Sequence, residues 1–220
     1  MTTDELIKEL KTYAEFEKVP IMQDEGIDYL TSFIVKKQIE SVLEVGTAIG
    51  YSAIKMCLAS PKVKVVTIER DKERYMEALK NIKQAGLEKR IIPIFKDALD
   101  VKLKEKFDLI FLDGAKAQNI NFFEHFEGNL EKDGYFITDN INFHGLVDKD
   151  EKDIKSKNLR GLVRKIKAYK EFLTNNDKYD TKFLKIGDGI SVTKRKKEKW
   201  LIWSLLLYQI AKQILKSIQK

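Results

Sequence analysis

Several things are scarce in this 220-residue chain, and each scarcity excludes a class of protein. Cys57 is its one cysteine, so no internal disulfide can form and a disulfide-stapled secreted scaffold is excluded. The first eighteen residues are charged throughout and contain no apolar stretch of the kind a signal peptide needs, from which a cytoplasmic protein is expected. The longest apolar run, residues 200–211, is too short to span a bilayer comfortably. No internal repeat and no low-complexity linker interrupts the chain, which excludes solenoids and points to one domain over residues 1–197 with a tail at 198–220. A G-x-G-x-x-G loop, which would cradle a pyrophosphate, is also missing. Finally, acids are absent from residues 155–170, which hold Lys155, Lys157, Arg160, Arg164, Lys165, Lys167 and Lys170. The net charge is +7, but residues 195–220 carry +6 of it, so the body is nearly neutral and this acid-free run is its one concentrated basic stretch.

What is present has a rhythm. Apolar, β-rich runs at 41–45, 63–68, 91–95, 107–112 and 135–138 alternate with helical spacing at 53–60, 72–86 and 119–130. That alternation predicts right-handed crossovers and a parallel, doubly wound α/β sheet. A basic helix at 157–173 follows, and then two runs, 179–186 and 190–194, joined by Gly187-Asp188-Gly189 as a β-hairpin. Two amphipathic helices, 3–18 and 24–37, are expected to cap the sheet within residues 1–40.

Candidate ligand-binding residues fall where these strands end. Between the first strand and the next helix lies LEVGTAIGYS, residues 43–52, in which Gly46 and Gly50 let the backbone turn tightly and approach a ligand. Glu44, Gly46, Tyr51 and Ser52 are its candidate cofactor contacts. Glu69, about twenty residues beyond the loop, stands at a strand end where an acid can accept from both hydroxyls of a ribose. A solvent-facing charge is its bland alternative. Asp97 and Ala98 occupy the next loop on the same face, where an adenine would lie; a turn-capping aspartate is the alternative for Asp97. Asp113 ends the fourth strand, and Asp139 and Asn140 end the fifth. Two carboxylates and an amide without His or Cys suit a hard octahedral cation such as Mg²⁺, although strand-end aspartates also simply cap loops.

The segments LEVGTAIGYSA, TIER, FDLIFLDGAKAQ and FITDNI resemble the cation-dependent class I O-methyltransferases, the group that includes the catechol and caffeoyl-CoA enzymes. The resemblance covers roughly residues 15 to 195. It implies a Rossmann-like, seven-stranded, mostly parallel sheet ending in an antiparallel hairpin, with helices on both faces. It implies S-adenosylmethionine (SAM) and Mg²⁺ as cofactors, with Asp113 also at the cofactor. It further assigns Met22, in VPIMQDEG, to the cofactor or active-site rim, and Lys116 to the role of general base. Through FITDNINFHGLV, NLRGLV and IGDGISV the chain most resembles the bacterial tRNA 5-hydroxyuridine methyltransferases. The expected reaction is therefore methylation of the wobble 5-hydroxyuridine to 5-methoxyuridine, with a small catechol-like or hydroxycinnamoyl acceptor as the alternative.

On the tRNA reading, Arg160, Arg164, Lys165 and Lys167 contact anticodon-loop phosphates, and Phe143 and His144 stack on the splayed base. The tail departs from the family pattern. Lying in a membrane interface, packing on the domain and self-association to a homodimer all stay open for it. Because the resemblance ends before it, a chain stopped at Lys197 is expected to fold and keep its activity. An insoluble or inactive product would make the tail part of the core or of an oligomer interface.

Overall fold

The computed structural model describes residues 2–196, so the tail lies outside the described residues. Two helices lead, α1 (Thr3–Phe16) and α2 (Asp24–Lys37). Thr2 starts α1 with a capping box, its side chain accepting from the Glu5 amide while Glu5 accepts from the Thr2 amide. There follow β1 (Ser41–Val45), α3 (Tyr51–Ala59), β2 (Lys64–Glu69), α4 (Lys72–Gln84), β3 (Ile91–Phe95), β4 (Phe107–Leu112), α5 (Asn119–Phe126), β5 (Leu130–Thr138), α6 (Lys157–Thr174), β6 (Tyr179–Leu184) and β7 (Ile190–Arg195). The seven strands form one sheet in the order β3-β2-β1-β4-β5-β7-β6. The first five are mutually parallel; β7 runs antiparallel to both β5 and β6. This is the class I methyltransferase arrangement that the sequence resembles.

Strand alternation divides the core in two. Val42, Val65, Leu109 and Phe111 face α1 to α4, whereas Leu43, Ile68, Ile110 and Leu112 face α5 and α6. On the second face Phe123 stacks on Phe136, with ring centroids 4.2 Å apart, and meets Tyr179 edge-on. Helix α6 buries Val163, Ile166, Tyr169 and Leu173 along one stripe, and the Tyr169 hydroxyl bonds to Thr138 Oγ1 at 2.8 Å. That bond ties the basic helix to the end of β5. Among the described residues no helix is long and apolar enough to cross a membrane.

The largest boundary difference from expectation lies between α5 and β5. The helix predicted over 119–130 stops at Phe126 and β5 begins at Leu130, paired with Phe107 across a register irregularity. Asn129 Nδ2 donates to the carbonyls of Leu103 and Glu105, which draws the chain into the sheet edge early.

The parallel sheet reverses order between β1 and β4, and there the two backbones approach closely. Asp113 N donates to Val45 O at 2.9 Å, and Gly46 has φ +103°. A Cβ at Gly46 would stand 2.7 Å from the Asp113 carbonyl oxygen and 2.9 Å from Gly114 Cα, both backbone atoms unable to move aside. Gly46→Ala should therefore cost about 1 to 3 kcal/mol from the forced left-handed φ alone, a loss of several degrees in Tm at this length. Gly128→Ala, where an added Cβ meets nothing within 4 Å, is the control. Equal melting temperatures for the two variants would contradict this account.

Candidate active site

A cleft of about 680 Å³ opens at the carboxyl ends of β1 to β5, within the size range of small-molecule sites. One half is built from the loop after β1, the start of α3 and the ends of β2 and β3. Gly46, Tyr51, Ser52, Glu69, Asp97 and Ala98 all line it, as does Met22, which reaches in from the segment before α2 and packs against Gly26.

Glu69 shapes this half. It is buried, and its carboxylate accepts from the Ala48 amide at 2.8 Å and from the Arg70 and Asp71 amides at 2.9 Å each. The bland reading as a solvent-facing charge is thus excluded. A carboxylate has about four acceptor positions, so it can hold the loop and still accept from a ligand. Asp97 lines the cleft and caps the short turn at Ala98–Asp100 by accepting from Leu99 N at 3.1 Å. Its other oxygen pairs with Arg70 at 3.2 Å.

Glu44 requires a correction, because its side chain does not line the cleft. It is fully buried beneath the loop and accepts from Ser52 Oγ and Thr67 Oγ1, both at 2.5 Å. Burial pushes its carboxyl up to about 8, against the lowering effect of those two hydroxyls. It meets the cleft only through Ser52, which lines it.

The other half gathers Asp113, Lys116, Asn140, Phe143, His144 and Leu162. Lys116 Nζ lies 2.7 Å from Asp113 Oδ1, and both side chains are largely buried. Asp139 follows Thr138, the residue paired with Leu112 across β4 and β5, so it sits beside Asp113 in register. It is 3% exposed and lies beneath the cleft surface. Burial, and then the neighbouring Asp113 charge, push its carboxyl up to about 7. Asn140 holds a left-handed φ of +58°. Among the described residues no three His, Cys, Asp or Glu side chains form a metal cage; the cluster here is two carboxylates and an amide.

The basic residues of α6 do not line the cleft; Leu162, from the same helix, does. Arg160 donates to the carbonyls of Ile154 and Lys155, Arg164 pairs with Glu151 at 2.6 Å, and Lys167 donates to the Lys149 carbonyl. The acid-free run is therefore opposed in space by the acidic segment just before it, whose Glu151 the guanidinium holds below the usual carboxylate range. Lys165 stays exposed.

Asp188 was read from the sequence only as a turn residue. It is 7% exposed, lines the cleft, and accepts from Asn140 Nδ2 and from the His144 amide. Flanked by glycines at a hairpin, it carries no local signal of that role.

The family profile described as O-methyltransferase matches residues 2–196. The chain belongs to the O-methyltransferase family. It is a SAM-dependent methyltransferase by that membership, in accord with its class I fold. A caffeoyl-CoA O-methyltransferase of Populus kitakamiensis is 28% identical over 204 residues, covering 87% of this chain and 86% of the relative. A flavonoid 3',5'-methyltransferase of Vitis vinifera is 28% identical over 193 residues, covering 83% and 80%. Among solved structures, a Staphylococcus aureus protein provisionally named a caffeoyl-CoA O-methyltransferase superposes with a TM-score of 0.82 at 34% identity, covering 86% of this chain and 92% of the other. A Bacillus cereus O-methyltransferase solved in complex with SAH shares the fold at a TM-score of 0.76 and 24% identity, covering 89% and 93%.

Because Glu69 both holds the loop and faces the cleft, Glu69→Ala should weaken binding of S-adenosylhomocysteine (SAH) by about 1 to 3 kcal/mol, the usual cost of losing a charged acceptor. Calorimetry should also find a lower Tm, since three amides lose their partner. Unchanged SAH affinity would remove Glu69 from the cofactor site.

Proposed function

We propose that this enzyme transfers the methyl group of SAM to a hydroxyl of a small aromatic acceptor that carries a second oxygen beside the first, of the hydroxycinnamoyl kind. The observation that carries this reading is the continuity of one cleft. The Gly46 loop and Glu69 stand on one side of the Gly46–Asp113 backbone contact, and Asp113, Lys116 and Asn140 stand immediately on the other. The relatives support the acceptor class, since the Populus protein is named for caffeoyl-CoA and the Vitis protein for a flavonoid.

On this reading the donor lies along Gly46, Tyr51, Ser52, Glu69, Asp97 and Ala98, with Met22 at the rim. Asp113, Asp139 and Asn140 fit a divalent cation such as Mg²⁺. Their donor set is all oxygen, and two adjacent carboxylates, one of them buried, bring together negative charge that Lys116, paired with Asp113, offsets in part. When bound there, such a cation would supply Lewis-acid chemistry, lowering the pKa of the reacting hydroxyl. Lys116 is the basic group at this end of the cleft, and in its neutral form its amine takes the hydroxyl proton. The acceptor oxygen then forms a bond to the methyl carbon as the bond to sulfur breaks, leaving SAH. The donor arrives activated, so the residues contribute orientation and charge more than bond chemistry.

A second reading, methylation of 5-hydroxyuridine in a tRNA anticodon loop, draws support from Lys155, Lys157 and Lys165, exposed on or beside the helix that supplies Leu162 to the cleft. It is the weaker reading, because Arg160, Arg164 and Lys167 are engaged within the chain.

Isotope-labelled SAM, supplied in parallel with caffeoyl-CoA and with 5-hydroxyuridine-containing tRNA, separates the two. Label on caffeoyl-CoA, abolished by chelator, restored by Mg²⁺ and lost in Asp139→Ala while SAH affinity persists, is the expected result. Label on tRNA alone would establish the second reading, and full turnover in excess chelator would exclude the metal.

A further inference from the structure

We propose that Asp188, in the turn joining β6 to β7, is the positioning residue that fixes the side-chain amide of Asn140, so that Asn140 turns its oxygen rather than its nitrogen to the acceptor end of the cleft. This rests on the reading of Asn140 as an oxygen donor in that end of the cleft.

The argument begins with what each atom can do. An ionised carboxylate only accepts, whereas an amide side chain has one accepting and one donating end. Asp188 Oδ2 lies 3.2 Å from Asn140 Nδ2, and Asp188 Oδ1 lies 2.5 Å from the His144 amide. Both carboxylate oxygens are thus met by N–H groups, and the side chain is only 5% exposed, so water does not readily replace either partner. With its nitrogen committed to Asp188, Asn140 has only its oxygen to offer.

The surrounding backbone indicates why such a device is needed. Asn140, Phe143 and His144 all adopt left-handed φ, at +58°, +43° and +55°, and Gly145 follows at +72°. Non-glycine residues in that region are strained and persist where neighbours over-determine them. The hairpin turn supplies those neighbours: Gly189 O accepts from Ile141 N at 3.0 Å and Asp188 O accepts from Asn142 N at 2.9 Å. A Cβ at Gly189 would stand 2.8 Å from Asn142 Cβ, so the two segments are in full contact. On its far side the turn is anchored to α2, where Gly187 N donates to Glu25 Oε2 at 3.2 Å. The backbone bonds hold the 141–142 segment, and Asp188 Oδ1 holds the His144 amide, a bond that a side-chain amide oxygen at 188 could also make. Asp188 Oδ2 sets which end of the Asn140 amide faces the cleft.

Asp188→Asn separates these two roles, since it keeps the shape and every backbone bond. Its new NH₂ must face either the His144 amide or the Asn140 amide. The His144 amide cannot accept, so Asn140 flips, sending its own NH₂ into the cleft. Exchanging the pair, as N140D/D188N, restores an acceptor opposite a donor with the net charge unchanged. The probe is Mn²⁺, followed by paramagnetic resonance, beside turnover with the acceptor that the wild type methylates. SAH affinity is the control for folding.

Asp188→Asn is expected to weaken Mn²⁺ binding and lower kcat by about 10- to 100-fold, as for other residues that orient a ligand, with SAH affinity unchanged. The exchanged pair should recover most of both losses. Wild-type behaviour of Asp188→Asn, or a loss that the exchange does not rescue, would overturn the proposal. Failure of the wild type to bind Mn²⁺ would instead overturn the metal reading. The turnover of the two variants would still decide whether Asp188 orients Asn140.

Discussion

Everything in the cleft depends on one backbone contact, the approach of Gly46 to Asp113 and Gly114. It is possible only because residue 46 has no side chain: a Cβ there would overlap the Asp113 carbonyl. The contact brings the loop after β1 against the loop after β4 at the point where strand order reverses, the position at which open α/β sheets bind ligands. The two halves of the site belong to different loops, and this contact sets the distance between them. Methyl transfer from one small molecule to another is sensitive to that distance, since reacting atoms must be held near contact for in-line displacement.

Around this contact, buried polar groups are almost all partnered within the chain. Glu69 holds three amides, Glu44 holds two hydroxyls, and Asp188 holds an amide and a side chain. Three acids from β1, β2 and the final hairpin thus keep the cleft walls in place before any ligand arrives. Such preorganisation reduces the ordering cost of binding. It also carries a stability penalty at Glu44: above the ordinary 4.5 the unfolded carboxyl ionises while the buried one keeps its proton, so stability is lost as pH rises through about 8.

The fold was legible because apolar, β-rich runs alternate with helical spacing along the chain. Which face each apolar residue takes, Val42 against Leu43 or Leu109 against Ile110, is visible only in the structure, because both faces of these strands are buried. Gly46, Tyr51, Ser52, Glu69, Asp97, Ala98, Asp113, Lys116 and Asn140 were legible as a set, because strand ends on one edge converge whatever the details of the loops. What escaped was every role that depends on a partner distant in sequence. Glu44 reads like its neighbours in the loop, but strand alternation turns it inward toward Thr67. Asp188 lies 48 residues from Asn140 and carries only a turn signal. The acid-free run in α6 looked like an open phosphate-binding face, yet Glu151 folds back onto Arg164. Charge counted along a segment cannot register an opposing charge that the chain brings in from outside it.

Hydrogen–deuterium exchange with and without SAH tests the central claim, that the Gly46–Asp113 contact joins a cofactor half and an acceptor half in one cleft. The account predicts slowed exchange in peptides covering residues 46–52, 69–71 and 97–99 and in the adjoining 113–116 loop, with the separate groove between α1 and α4, lined by Leu6, Tyr13, Glu77 and Asn81, unchanged. Protection confined to that groove, or absent from the 46–52 and 69–71 peptides, would contradict it.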